Sequence, residues 1–264
     1  MICLTIFYNG WYGESQMNVS EIKKYGKKDS YSYSFGSFPT FELLQSRAEV
    51  VEMVLVHSDV KEEIRNKLEQ KCENAGVEII ENDRYIEKIR DKDNRIIIGV
   101  FKKYHCKLDY DKNHVVLVNP SDAGNLGTII RSCVGFGITN LAVIEPAVDL
   151  FHPKVVRASM GAIFKIKFEC FPCFSQYEQE YGGEREKYSF MLNGKHQLGT
   201  FGHSENKPYA LIFGSEASGL DESFLHVGKS VVIPHTRSID SLNLSLAAGI
   251  GIYEFSKGEK RKNK

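Results

Sequence analysis

The sequence lacks a charge excess of either sign, since 34 Lys and Arg residues balance 34 Asp and Glu residues. Divided near residue 112, each half is also close to neutral. Domains that bind nucleic acids often carry a basic excess on one face. The overall charge therefore does not indicate a nucleic-acid-binding protein, and any basic footprint must come from the local placement of Lys and Arg side chains.

Long hydrophobic segments are also missing. The first apolar run covers residues 2–8, is interrupted by Thr5 and has no basic region before it. A helix that crosses a bilayer needs about 20 apolar residues, and a signal peptide begins with a basic segment. We therefore expect a cytoplasmic protein without a membrane span.

Cysteine is sparse and scattered, with six residues in the chain of 264. This usage favours reduced thiols over a disulfide framework. Cys170 and Cys173 form one CxxC pair, but no second pair accompanies it. The pair therefore gives only weak support for a zinc site or a redox motif.

The sequence does contain two blocks in which strand and helix patterns alternate, which is typical of an α/β protein. The stretch at 102–113 between them is polar and without periodicity, as linkers are. We predict a first domain at 1–105, a linker at 106–113 and a second domain at 114–264.

The first domain is expected to hold a small βαβαβ unit at residues 50–101, with a long helix that ends at Gly76. Thr40 is the expected N-cap of a short helix before it, at 41–46. Residues 1–30 are unclear, apart from a basic helical pattern at 21–28.

The alternating strand and helix patterns of the second domain predict a parallel sheet that is covered by helices on both faces. Its predicted strands lie at 115–119, 141–144, 163–168, 188–192, 209–213 and 231–233. Its predicted helices lie at 125–136, 153–160, 175–181 and 242–257.

Three polar loops follow strands of this predicted sheet. They contain Gly124-Asn125-Leu126-Gly127 with Arg131, then Gly214-Ser215-Glu216, then Ser241-Leu242-Asn243. The carboxyl ends of parallel strands share one edge of the sheet, so the loops can meet there. In the plainer alternative, Asn125 and Ser241 cap helices and Arg131 is a surface residue.

Three ordered motifs carry a resemblance to a known family. NPSDAGNLGTIIR, LIFGSEASGL and VVIP with SLNLSLAAGI are similar to the three motifs of the SpoU (TrmH-like) RNA ribose 2′-O-methyltransferases of the SPOUT superfamily. The match covers about 114–256, and VRASMGA at 156–162 resembles the segment after the first motif. Residues 35–101 resemble, more loosely, an L30e-like substrate-binding domain.

The resemblance implies a SPOUT methyltransferase domain with a C-terminal trefoil knot, a homodimer with active sites at the subunit interface, and no metal. It also implies S-adenosylmethionine as the cofactor and RNA (rRNA or tRNA) as the substrate. The residues that it implies for cofactor binding are Gly214, Ile233 and Leu242, together with the loop of Leu192, Asn193 and Gly194.

The resemblance further implies that Arg131 is catalytic, with Asn125, Glu216, Ser241 and Asn243 around it. An arginine whose pKa exceeds about 12 is hardly ever neutral. Our hypothesis is that Arg131 stays charged, orients the ribose-phosphate and stabilises the developing alkoxide.

Because the protein has no net charge, contacts with RNA would have to come from local patches of basic or aromatic side chains. The candidates are Arg157, Lys102 and Lys103, the basic residues at 23–28, and aromatics within 31–41 that stack on unpaired bases.

A non-catalytic RNA-binding or ribosome-assembly factor is the main alternative function. A dinucleotide-binding oxidoreductase is disfavoured, because GxGxxG is missing.

Overall fold

The computed structural model describes residues 17–90, 92, 96–204, 207–236 and 238–257. The apolar run at 2–8 and the basic C-terminal residues lie outside this range. No helix within it is long and apolar enough to cross a bilayer.

The N-terminal part forms a four-stranded sheet in the order β1-β4-β2-β3. Its strands are β1 (Tyr31–Phe35), β2 (Val51–Val56), β3 (Ile79–Glu81) and β4 (Ile97–Lys102), and its helices are α1 (Ser37–Ser46), α2 (Glu62–Ala75) and α3 (Asp83–Ile89). The predicted βαβαβ unit is confirmed. The unexpected β1 pairs with β4 in antiparallel orientation.

Two local predictions in this part are wrong. Thr40 does not cap a helix, because α1 already begins at Ser37 after Gly36, and the Thr40 hydroxyl donates to the Gly36 carbonyl (2.8 Å). The basic stretch at 21–28 is not helical. Its Gly26 amide donates to the Asp29 carboxylate (2.9 Å), a local bond that competes with helix formation.

The second part is a seven-stranded sheet in the order β7-β6-β5-β10-β8-β11-β9, and all of its strand pairs are parallel. Its strands are β5 (His114–Val118), β6 (Asn140–Ile144), β7 (Lys167–Phe171), β8 (Glu186–Phe190), β9 (His196–Gln197), β10 (Tyr209–Phe213) and β11 (Lys229–Val232). Its helices are α4 (Ala123–Phe136), α5 (Pro153–Ala158), α6 (Phe174–Tyr177) and α7 (Leu244–Ser256).

Both faces of the seven-stranded sheet are buried, as the sequence predicts. Along β5, Val115 and Leu117 enter the core formed with α4, α5 and α7, whereas Val116 enters the core formed with α6. This alternation follows from the two-residue period of a strand.

The strand predicted at 163–168 is misplaced, because Ala162–Lys165 form a 3-10 turn before β7 begins.

The two sheets meet in one of the hydrophobic clusters of the molecule. Phe101 of β4 packs against the rings of Phe151 and Phe164, with centroids 6.0 and 5.2 Å apart. The predicted linker has no regular structure, but it is held in place: Leu108 is buried, and Arg185 donates to backbone carbonyls at 110 and 112. The division into domains, with its linker, stays a prediction, and Leu108 of the predicted linker packs in the core on one face of the seven-stranded sheet.

Candidate active site

Segments at one edge of the seven-stranded sheet line a cavity of about 510 Å³. They follow β5, β10, β8 and β11, which are consecutive neighbours in the sheet. Because these strands are parallel, their carboxyl ends lie at the same edge, where α/β sheets bind ligands. The predicted site residues that line the cavity are Asn125, Leu192, Asn193, Gly214, Glu216, Ile233, Ser241, Leu242 and Asn243.

Glu216 joins the loop after β5 to the loop after β10. Its carboxylate accepts hydrogen bonds from the Ser121 amide (3.1 Å) and hydroxyl (2.9 Å), the Asp122 amide (3.3 Å) and the Asn125 side-chain amide (3.3 Å). Partial burial opposes ionisation, but these donors and its own backbone amide hold the pKa of Glu216 below its usual value. The carboxylate is therefore charged at neutral pH.

Asn243 joins the loop after β11 to the same network. Its Oδ1 accepts from the Ser245 amide (2.9 Å) and the Leu246 amide (3.3 Å), so Asn243 is the N-cap of α7. Its Nδ2 donates to Oδ1 of Asn125 (3.1 Å). A continuous series of hydrogen bonds thus runs from Asn243 through Asn125 to Glu216, and connects all three predicted loops.

The helix caps differ from the sequence-based expectation. Asp122 caps α4 by accepting from the Asn125 amide (2.7 Å), which leaves the Asn125 side chain free to reach Glu216. Ser241 lines the cavity but does not cap α7, because Asn243 takes that role. Asn125 and Ser241 are therefore cavity residues and not capping residues.

Two glycines allow backbone segments to touch beside the cavity. A Cβ placed on Gly214 would lie 2.0 Å from the carbonyl carbon of Gly219, and one on Gly194 would lie 2.5 Å from that of Val231. Only glycine fits such contacts. The cavity lining combines apolar side chains, including Phe190 and Phe213, with polar ones, including Asn193 and Ser241. Such a lining suits an organic cofactor.

Arg131 does not line this cavity. It follows Asn125 by six residues, which corresponds to about 240° around a helix. Arg131 instead lies in the exposed stripe of α4 formed by Gly124, Thr128, Arg131 and Gly135. Within one chain, the structure does not bring the predicted catalytic arginine to the other predicted residues.

The predicted RNA-binding residues also lie away from the cavity. Lys102 pairs with Glu52 (3.3 Å), and Lys103 pairs with Asp149 (3.0 Å), which leaves the Lys103 side chain only 17% exposed. Arg157 is half-buried on α5. Most aromatics of 31–41 are unavailable for stacking, because Tyr31, Tyr33, Phe35 and Phe41 are buried or half-buried; Phe38 is 52% exposed.

Some residues that line the cavity were not predicted from the sequence. Phe190 and Phe213 end strands that were predicted, and His235 stands in the polar segment between Ile233 and Leu242. The position of His235 inside a motif loop was the available signal.

Among the described residues, no cluster of three His, Cys, Asp or Glu side chains could hold a metal ion. Cys170 and Cys173 are both free thiols.

Comparison with known proteins places residues 112–253 in the SpoU rRNA Methylase family. The human protein named rRNA methyltransferase 3, mitochondrial, is 27% identical over 217 residues, which cover 60% of this chain and 52% of the relative. A putative tRNA (cytidine(34)-2′-O)-methyltransferase of Listeria monocytogenes is 33% identical over 147 residues, covering 54% of this chain and 85% of the relative. The chain thus spans only about half the length of the human relative.

Among solved structures, the SpoU methyltransferase AviRb from Streptomyces viridochromogenes, in complex with the cofactor AdoMet, superposes with a TM-score of 0.72. It is 22% identical, and the match covers 89% of this chain and 92% of AviRb. At this identity the likeness establishes the fold. The family match covers more than half of the chain and includes all three loops at the cavity, so the protein belongs to the SpoU rRNA Methylase family.

Proposed function

We propose that the protein transfers a methyl group from S-adenosylmethionine to a ribose 2′-hydroxyl of structured RNA, either rRNA or tRNA. The observation that carries the proposal is the series Asn243–Asn125–Glu216, which joins the three family motifs at one cavity. The names of the relatives add support, because two are methyltransferases of rRNA and tRNA and AviRb binds AdoMet.

The cavity suits S-adenosylmethionine in size and chemistry. Its volume of about 510 Å³ lies within the range of small-molecule sites. Leu192, Asn193, Gly214, Ile233 and Leu242, which line the cavity, would hold the cofactor. Gly194 does not line the cavity but would keep the loop of Asn193 close to the backbone of Val231. When bound, S-adenosylmethionine supplies a methyl group that is already activated on a sulfonium.

Because the methyl group arrives activated, the protein must mainly align the reacting atoms. The hydrogen-bonded Asn125, Glu216 and Asn243 hold three loops in one arrangement, and Ser241 lines the same cavity. A fixed arrangement of this kind lowers the entropic cost of bringing a ribose oxygen in line with the sulfonium methyl.

We propose a homodimer in which Arg131 acts on the cavity of the partner. Arg131 faces solvent on α4, next to α7, whose Leu246 and Tyr253 are 53% and 50% exposed. Tyr253 also contacts Phe136 of α4, with ring centroids 5.5 Å apart. A second copy packed on this surface would bury these apolar side chains and bring a charged guanidinium toward the site, where it would stabilise developing charge on the ribose oxygen.

The RNA-contacting surface is a further part of the proposal. Arg157, Lys102 and Lys103 keep their proposed roles in binding phosphate, but Lys102 would first have to leave its ion pair with Glu52, and Lys103 its ion pair with Asp149. Phe38 is the exposed aromatic that remains for stacking. The L30e-like domain, the trefoil knot and the cytoplasmic location likewise stay predictions.

Cofactor binding is the first test. Leu242→Arg places a cation in a half-buried cavity position and should abolish saturable S-adenosylmethionine binding in calorimetry. His226→Arg, at an exposed position outside the cavity, should bind as the wild type does. Binding of NAD instead would favour an oxidoreductase, and absence of any cofactor binding would favour a non-catalytic RNA-binding factor.

Methyl transfer is the second test. Tritiated S-adenosylmethionine should label unmodified rRNA or tRNA transcripts, and alkaline hydrolysis should then leave labelled dinucleotides. These survive because a 2′-O-methyl group removes the hydroxyl that cleaves the next phosphodiester. Label in mononucleotides only would indicate methylation of a base and would refute ribose methylation.

A further inference from the structure

The proposed reaction releases a proton from the ribose 2′-hydroxyl, and few groups at the cavity can accept it. Glu216 is a poor base, because its oxygens already accept four hydrogen bonds and its pKa lies below the usual value. The amides of Asn125 and Asn243 are not basic. Arg131 lies outside the cavity of its own chain and carries a permanent positive charge.

The imidazole of His235 lies in the wall of the cavity. Among the histidines that the structure describes, it alone lines the cavity. Its Nδ1 lies 2.9 Å from the carbonyl oxygen of Ile233. Because a carbonyl oxygen can only accept, Nδ1 must carry the hydrogen, and the lone pair of the neutral ring is then on Nε2. No described residue hydrogen-bonds to Nε2.

The hydrogen bond to the Ile233 carbonyl also fixes the imidazole ring relative to the cavity wall at which the cofactor is proposed to bind. Ile233 itself lines the cavity and is one of the proposed cofactor-binding residues. A histidine held by one ring nitrogen in this way presents the other nitrogen in a defined orientation, as general bases commonly require.

We propose that Nε2 of His235 accepts the proton of the ribose 2′-hydroxyl, an inference that rests on the proposed function. In this step a bond forms between the 2′-oxygen and the methyl carbon. The bond from that carbon to the sulfonium sulfur breaks, and its electron pair goes to sulfur. The 2′-hydroxyl proton moves to Nε2, and the resulting imidazolium later releases a proton to water.

The assignment separates two roles at the site. His235 takes the proton, while the charge on Arg131 of a second subunit stabilises the oxygen that loses it. No arginine then has to become neutral, which its high pKa makes improbable.

The variant that tests the proposal is His235→Asn. An asparagine amide at this position can still donate to the Ile233 carbonyl, but the nitrogen that accepts the proton is lost. The expected result is S-adenosylmethionine affinity and thermal stability close to the wild type, with a single-turnover methylation rate lower by roughly 10² or more. His226→Asn, an exposed histidine outside the cavity, is the matched control and should react at the wild-type rate.

Two further measurements separate a base from a structural residue. Histidine ¹⁵N spectra of the wild-type protein should show the Nδ1–H tautomer at His235, a readout that needs no activity. The His235→Ala variant should regain rate on addition of imidazole, because the free base can occupy the vacated space.

Several results would overturn the proposed role of His235. Wild-type rates in His235→Asn, an Nε2–H tautomer, or no rescue of His235→Ala would overturn the role of His235. A variant that lost only cofactor affinity would do so too, since His235 would then be a binding contact. If the wild-type protein binds S-adenosylmethionine but methylates no rRNA or tRNA transcript, the proposed function fails and the assignment of His235 fails with it.

Discussion

At the scale of single residues, Asn243 shows how one side chain serves stability and site geometry together. Its carbonyl oxygen caps α7, and its amide nitrogen donates to Asn125, which in turn donates to Glu216. An amide can do both, because it carries an acceptor and a donor on the same planar group. The two roles can therefore be separated by substitution.

Asn243→Asp should keep the helix cap and break the link to Asn125, because a carboxylate accepts but does not donate. We expect thermal unfolding close to the wild type and clearly slower methyl transfer. Asn243→Ala removes both functions and should also destabilise the protein by about 1 kcal/mol. Denaturant unfolding and single-turnover rates measure the two effects, and a fully active Asn243→Asp variant would show that the link is dispensable.

At the scale of elements, α4 presents two surfaces with different roles. Its first turn delivers Asn125 to the cavity, while the stripe with Thr128 and Arg131 faces solvent. The helical period separates these faces, which leaves Arg131 outside the cavity of its own chain. We therefore expect any role of Arg131 in catalysis to be at the cavity of a second subunit.

Mixed dimers test this requirement. Arg131→Ala and Leu242→Arg should each be inactive alone, the first for lack of the guanidinium and the second for lack of cofactor. If Arg131 acts on the partner, random mixing should restore roughly one quarter of the wild-type rate, since half of the dimers are mixed and each holds one complete site. Transfer rates after co-refolding provide the measurement, and no recovery would mean that Arg131 acts within its own chain or not at all.

At the scale of the whole molecule, a half-buried carboxylate ties the N-terminal part to the seven-stranded sheet. Asp149 accepts hydrogen bonds from the Tyr25 hydroxyl, the Lys103 ammonium (3.0 Å) and the Phe151 amide (2.9 Å). Burial opposes ionisation of Asp149, but these donors hold its pKa below the usual value. The ionised form is thus favoured by folding.

Because folding favours the ionised form of Asp149, the effect of Asp149→Asn on the free energy of unfolding should depend on pH. A pKa that is lower in the folded state contributes stability above the unfolded-state value of about 4, and that contribution is lost as the pH falls through the folded-state value. The variant should have a lower free energy of unfolding than the wild type at pH 7, and the gap should narrow below about pH 4. Denaturant unfolding at several pH values checks this, with the exposed Asp111→Asn as control. A gap independent of pH would exclude ionisation as the cause.

Local signals predicted the long elements well and the short ones poorly. α2 and α4 end where the sequence indicates, because Gly76 and Gly137 adopt positive φ and stop each helix. The prediction for Thr40 failed because α1 begins after Gly36, which makes no side-chain cap. The prediction for Ser241 failed because Asn243, two positions later, caps α7. The strand predicted at 163–168 failed because Gly161 packs against Glu42 of α1, and the chain turns there before β7 begins.

The amino-acid sequence was enough to predict the order of the elements and the meeting of three polar loops at one sheet edge, because alternating strands and helices favour a parallel sheet whose carboxyl ends coincide. The three-dimensional arrangement was needed to show that Glu216 binds Ser121, that Asn243 reaches Asn125, and that His235 lines the cavity whereas Arg131 does not. Contacts between residues 95 and 118 positions apart leave no periodic pattern in a sequence, since they depend on the order in which strands pair.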